Sequence, residues 1–196
     1  MPKPTSVVPN SISKRPAIFF DRDGTLIYDR SYMSKPEQVE LLPGAIELLA
    51  LVSSYGYFTV VVSNQSGVGR GLMTEQEATA VHSRFEELLA RAGVSVGASL
   101  YCPHAPENNC ECRKPGPGLL IRAAAEHELD LSSSFMVGDK ESDWEAGVAA
   151  GCTSILLASE EQPPSLAKER DSMVRDLAEL KLLFEKLLIP DLSYAN

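Results

Sequence analysis

Ala17-Ile18-Phe19-Phe20-Asp21-Arg22-Asp23-Gly24-Thr25-Leu26 is a short apolar run that ends abruptly in two carboxylates and a glycine. An uninterrupted run of this length reads as a strand buried on both faces, because a half-exposed strand would alternate apolar with polar residues. Asp21 then stands at the strand's carboxyl end with Asp23 two residues on, and Gly24 permits a sharp turn. An ordinary Asp-Gly turn would explain the segment if it stood alone. The choice depends on whether other strands end in the same way.

They do. Residues 57–62 form a second apolar strand followed by Ser63, and residues 135–137 a further one followed by Gly138 and Asp139. Helical patterns fall between the strands. Pro43-Gly44 precedes Ile46, Leu49 and Val52. Thr74 and Glu77 have capping-box spacing, with Val81, Phe85, Leu88 and Leu89 on one face behind them. Residues 118–127 and 141–150 read as helices, and residues 96–101 and 154–157 as strands. Alternating strands and helices imply a parallel sheet with helices on both faces. In such a sheet ligands collect beyond the carboxyl ends of the strands, where Asp21, Ser63 and Asp139 all lie.

At 196 residues and 44% hydrophobic, the chain suits one domain and one active site. Residues 1–15 read as a tail, 16–160 as the catalytic domain, and 161–196 as a connector through Pro163 and Pro164 leading to an amphipathic helix over 166–188. The formal charge of −9 argues against nucleic acid or anionic membrane as partner, since both require clustered Lys and Arg. No apolar run is long enough to span a bilayer, and residues 1–15 lack the apolar core of a secretory signal. The expectation is a cytoplasmic monomer.

Cys102-Pro103-His104 and Cys110-Glu111-Cys112 gather three thiols and an imidazole within eleven residues. Cys110 and Cys112 are too close to bridge comfortably, and the donor set suits tetrahedral Zn2+. Four protein ligands leave no open position, so the ion would be structural, pinning a loop that leads directly into Arg113 and Lys114. Cys152, His82, His127 and Trp144 read as packing residues.

Taken in order, these clusters resemble the haloacid-dehalogenase superfamily of phosphotransferases. Asp21 and Asp23 match its first motif, Ser63 its second, Lys114 its third, and Asp139 with Asp143 its fourth. The resemblance implies a doubly wound, mainly parallel five-stranded sheet of order 3-2-1-4-5, with no large cap domain. It also implies a phosphomonoesterase in which Asp21 is the nucleophile and Asp23 the general acid and base, with Ser63 and Lys114 steadying the phosphoryl oxygens. Mg2+ would be held by Asp21, Asp23 and Asp139, with Asp143 behind them.

The zinc loop is similar to that of a branch containing heptose bisphosphate phosphatases and histidinol phosphate phosphatases. Asn64-Gln65-Ser66-Gly67-Val68-Gly69-Arg70-Gly71, Pro115-Gly116-Pro117-Gly118 and Gly138-Asp139-Lys140 look like the heptose type, whereas the short 102–112 span is similar to the histidinol type. The heptose reading implies removal of the 7-phosphate of a heptose 1,7-bisphosphate. It places Asp29, Arg30, Ser31, Tyr32, Asn64, Gln65 and Ser66 on the sugar, Lys140 on the transferring phosphate, and Arg113, helped by Arg70, on the distal one. A phospho-aspartate signalling module is the reading from another class. Asp23 counts against it, because an acid/base beside the acyl phosphate would hasten its loss.

Overall fold

The computed structural model describes residues 14–158 and 173–188. Its sheet is built outward from β1 (Ala17–Phe20), with β2 (Phe58–Asn64) and β3 (Ala98–Cys102) on one side. On the other side lie β4 (Phe135–Gly138), β5 (Thr153–Leu157) and β6 (Met173–Val174). The order is β3-β2-β1-β4-β5-β6 and every pairing is parallel. All four residues of β1 are inaccessible to solvent, as its unbroken apolar run predicts.

Alternation along β1 divides the core in two. Ile18 and Phe20 face one cluster, packed by α1 (Ala45–Ser54), α3 (Glu75–Arg91) and α6 (Leu177–Leu188). Ala17 and Phe19 face the other, packed by α4 (Gly118–His127) and α5 (Glu141–Ala150). Helices therefore cover both faces of the sheet. A one-turn helix, α2 (Ser66–Gly69), follows β2. The capping box at α3 forms as its sequence requires: the Glu77 amide donates to Thr74 Oγ1 at 3.1 Å and the Thr74 amide to Glu77 Oε2 at 2.7 Å.

Among the described residues the sheet has six strands, where the sequence predicts five. The extra strand, β6, pairs Met173 with Leu156 and Val174 with Leu157. Two residues are too few to carry a period, and they sit inside the stretch expected to be helix. Of that stretch the described helix is Leu177–Leu188, while the tail over 1–13 and the connector over 161–172 lie outside the described residues. Arg15 is held against the domain: its amide donates to Glu128 O at 3.1 Å and its guanidinium lies 3.9 Å from the Phe58 ring centroid. No helix among the described residues is long and apolar enough to cross a membrane.

What positions the site is the shared direction of the strands. Phe20 pairs with Val61 on one side and Val137 on the other, so Asp21, Ser63 and Asp139 emerge along one edge. The Asp21 amide donates to Val137 O at 2.8 Å, locking the first residue beyond β1 to β4.

Candidate active site

Lys114 reaches this edge from the loop between β3 and α4. Its ammonium sits 2.6 Å from Asp21 Oδ1 and 2.6 Å from Asp143 Oδ1, and donates to Val62 O at 2.7 Å. Those three contacts use all the donors an ammonium has. The Asn64 side chain fixes the loop backbone, its amide donating to Lys114 O at 3.0 Å and its carbonyl accepting from Lys114 N at 3.1 Å. Asp143 serves twice, because its other oxygen accepts from Lys140 N at 3.0 Å and so caps α5.

Ligand oxygens of Asp21, Asp139 and Asp143 lie within 4.8 Å of one another. Burial raises the Asp21 carboxyl above its ordinary range, and Asp143 adds to the rise while Lys114 opposes it. Burial likewise pushes Asp139 up to about 7, Lys140 opposing and Asp21 and Asp143 adding. Burial works against the charge on Lys114, yet Asp21 and Asp143 raise its pKa overall and hold the ammonium charged. Lys114 pairs with Asp21 and Asp143 while Lys140 stands 3.9 Å from Asp139, and the three converging carboxyl groups are a donor set that suits a hard divalent cation such as Mg2+. Gly24, at φ 91°, turns the chain beneath Asp139 where any Cβ would collide with that carboxylate.

The Asp23 carboxylate is not in this cluster. It points to the side, where Arg22 grips it with Nη2 at 2.9 Å and Nε at 3.2 Å from Oδ2. Ser63 Oγ donates to the same oxygen at 3.2 Å and Gln65 Nε2 at 2.7 Å. The sequence reading assigned Arg22 no role, since nothing in an Asp-Arg-Asp triplet tells which way the middle side chain turns. Thr25, also unassigned, donates from Oγ1 to Asp139 Oδ1 at 3.4 Å.

Asp23 opens into a cleft of about 250 Å3 lined also by Asp29, Ser31, Tyr32, Asn64, Gln65, Ser66 and Lys140. Most of the residues expected at a sugar therefore share one wall. Lys140 Nζ lies 3.0 Å from Asp29 Oδ2 and 3.9 Å from Asp139 Oδ2, bridging cleft and carboxylate cluster. Burial raises the Asp29 pKa, but hydrogen bonds from Lys140 and the Ser31 amide outweigh it and hold the carboxylate below its ordinary range. Three expected contacts lie outside the lining. Arg30 pairs with Glu40 at 2.6 Å, Arg70 with Glu107 at 3.6 Å, and Arg113 donates to His104 O at 3.4 Å.

Cys102, His104, Cys110 and Cys112 converge as their spacing predicts, with ligand atoms within 4.8 Å of one another. Cys112 Sγ lies 3.1 Å from Cys102 Sγ and 3.3 Å from His104 Nδ1. Around Zn2+ with bonds of about 2.3 Å, sulfurs would stand roughly 3.7 Å apart, so the four donors fit a tetrahedral ion with small adjustments. Burial pushes the Cys102 thiol up to about 12; at Cys110 hydrogen bonds from Cys102 and Cys112 overcome desolvation and bring it to about 7. The remaining histidines meet structural neighbours: His82 lies 3.2 Å from Glu86, and His127 packs at a tilt against Phe58, 5.0 Å between centroids.

Known proteins are similar to this chain in sequence and fold. A family model described as HAD-hydrolase-like matches residues 111–180. The D-glycero-β-D-manno-heptose-1,7-bisphosphate 7-phosphatase of Helicobacter pylori is 41% identical over 150 residues, covering 76% of this chain and 86% of its own. The enzyme of the same name from Escherichia coli is 35% identical over 180 residues, covering 87% and 94%. The crystal structure of D,D-heptose 1,7-bisphosphate phosphatase from B. bronchiseptica, complexed with magnesium and phosphate, is similar at a TM-score of 0.79 and 31% identity, covering 88% of this chain and 99% of that one.

Proposed function

The chain belongs to the haloacid-dehalogenase-like hydrolases, and from that premise we propose that it removes the 7-phosphate of D-glycero-D-manno-heptose 1,7-bisphosphate. The observation that carries the reading is the juxtaposition at one sheet edge. A buried Asp21 held by Lys114 lies beside an acid cluster, and Asp23 opens into a polar cleft. The relatives' names supply the substrate.

In the proposed reaction an Asp21 oxygen attacks phosphorus in line, forming the aspartyl-phosphate as the bond to O7 breaks. Asp23 gives its proton to the departing alkoxide. Water then attacks the acyl phosphate, surrendering a proton to Asp23, and inorganic phosphate leaves with Asp21 restored. Lys114 favours the charged form of Asp21 against its burial and offers charge to the equatorial oxygens, and Ser63, whose hydroxyl donates to Asp23 Oδ2, holds the acid/base group beside the phosphoryl site from β2. Asp21 and Asp139, with Asp143 behind them, would hold Mg2+, which when bound supplies charge that screens the phosphate from the carboxylates. Cys102, His104, Cys110 and Cys112 would hold Zn2+ as a structural brace for the loop carrying Lys114.

Asp29, Ser31, Tyr32, Asn64, Gln65 and Ser66 form the sugar wall, with Lys140 at the phosphoryl end. The chain would work as a cytoplasmic monomer and would serve activated-heptose supply for bacterial surface polysaccharide. Phosphorus NMR tests the proposal: with Mg2+, heptose 1,7-bisphosphate should yield one equivalent of phosphate and the 1-phosphate. Release from position 1, or no release, would overturn it.

A further inference from the structure

We propose that Arg22 is the positioning residue of proton transfer: it binds Asp23 through Oδ2 and leaves Oδ1 as the oxygen that exchanges a proton with the leaving group and with water. The inference rests on the reading of Asp23 as acid and base.

The contacts on Asp23 are unequal. Among the described residues, Oδ2 accepts Arg22 Nη2, Arg22 Nε, Ser63 Oγ and Gln65 Nε2, at 2.7 to 3.2 Å. Oδ1 accepts Arg22 Nη2 at 3.2 Å. A carboxylate oxygen offers about two lone pairs, so Oδ2 is saturated and a proton has no place on it. Oδ1 retains acceptor capacity, and the carboxyl group lines the cleft. The clamp is anchored from behind, because Arg22 is 3% exposed and its carbonyl accepts the amides of Thr25, Leu26 and Ile27. A buried guanidinium deprived of its acceptor would be left unsatisfied, so Arg22 stays on Oδ2, which keeps its lone pairs whether or not Oδ1 carries a proton.

A fixed carboxylate matters in two steps. In the first, the proton on Oδ1 passes to O7 as the phosphorus–O7 bond breaks. In the second, a water proton passes to Oδ1 as the water oxygen bonds phosphorus and the aspartyl bond breaks. An aryl phosphate separates the two steps, because nitrophenolate leaves without needing a proton.

The test is rapid-mixing kinetics with p-nitrophenyl phosphate beside steady-state hydrolysis of an alkyl phosphate, for wild type, Arg22→Lys, Arg22→Gln and Asp23→Asn. Arg22→Lys keeps the charge but loses the fork. It should release first-turnover nitrophenolate within about 3-fold of wild type, while later turnovers and alkyl-phosphate kcat fall roughly 10-fold at nearly constant KM. Arg22→Gln should fall further in the same pattern, with Arg22→Lys a partial rescue. If Arg22→Gln fails to fold, Arg22→Lys and Gln65→Met, which removes another donor to Oδ2, carry the test. Equal losses in both phases and both substrates, or no loss, overturn the positioning role. Asp23→Asn distinguishes the underlying reading: undiminished alkyl-phosphate turnover in that variant would overturn the acid/base assignment itself, and the Arg22 proposal with it.

Discussion

Lys114 shows how one buried side chain organises several others. At 2% exposure it would be intolerable unpaired, and it is satisfied by sharing itself between Asp21 and Asp143. Asp21→Asn should therefore leave the fold intact, because Asp143 still pairs the ammonium, while abolishing turnover, because an amide cannot form the acyl phosphate. Multiple-turnover phosphate release by that variant would remove Asp21 as nucleophile. Lys114→Met should be worse for stability than Asp21→Asn, since it buries two carboxylates with no cation; about 3 kcal/mol or more in denaturant unfolding is expected. Asp139 brings a pH dependence. Its folded pKa, about 7, lies above the ordinary 3.8, so its contribution to stability is complete below about pH 4 and is lost as pH rises through 7. Metal-free protein should become less stable over that range, and Mg2+ should stabilise more at pH 8 than at pH 5.5, because proton and metal compete for one carboxylate. Thermal melts with and without Mg2+ check this, and an equal Mg2+ shift at both pH values would contradict it.

Elements were legible in the sequence in proportion to their own signals. α4 and α5 occupy the predicted residues 118–127 and 141–150, and the α3 capping box is present. β2 runs two residues past its apolar stretch, because β3 pairs with Ser63 and Asn64 and tertiary pairing overrides composition. β6 left no trace, as its two residues are strand only through their partner. In the site, the strand-end carboxylates could be read because parallel strands end along one edge, and the Cys/His cluster because its spacing brings it together. The Arg22 clamp and the positions of Arg30, Arg70 and Arg113 outside the cleft could not be read, because they depend on side-chain direction. The zinc loop carries its own prediction, since Lys114 lies two residues beyond Cys112 and is held there by Asn64. The purified protein should contain about one zinc per chain, and Cys110→Ser should lose it, with a lower melting temperature and reduced kcat. Metal analysis without zinc, or unchanged stability in the variant, would remove the structural role.

For the molecule as a whole the question is how a chain of formal charge −9 would take the proposed substrate, with its two phosphates. Lys140 is the basic residue among the described lining of the cleft. Arg113 and Arg70 lie on the zinc-loop side, where the Gly69 amide donates to Pro103 O at 2.8 Å and joins the turn after β2 to that loop. Their present contacts are weak. The Arg70–Glu107 pair is exposed at 3.6 Å, and such pairs contribute about 0–1 kcal/mol, while Arg113 makes one long bond to a carbonyl. Both guanidinium groups can exchange these partners for a phosphate at little cost, and a bidentate guanidinium–phosphate contact is among the stronger polar interactions. Histidinol phosphate has no second phosphate, and its amine would meet those cations unfavourably. Heptose 1,7-bisphosphate should thus exceed histidinol phosphate in kcat/KM by roughly 10- to 1000-fold, the range that a few kcal/mol of transition-state binding provides. Arg113→Ala should narrow the gap between bisphosphate and monophosphate sugars, while small phosphoesters change little. Measuring both substrates on one preparation decides the matter: a preference for histidinol phosphate would mean that the short zinc loop governs specificity and that Arg113 reads no distal group.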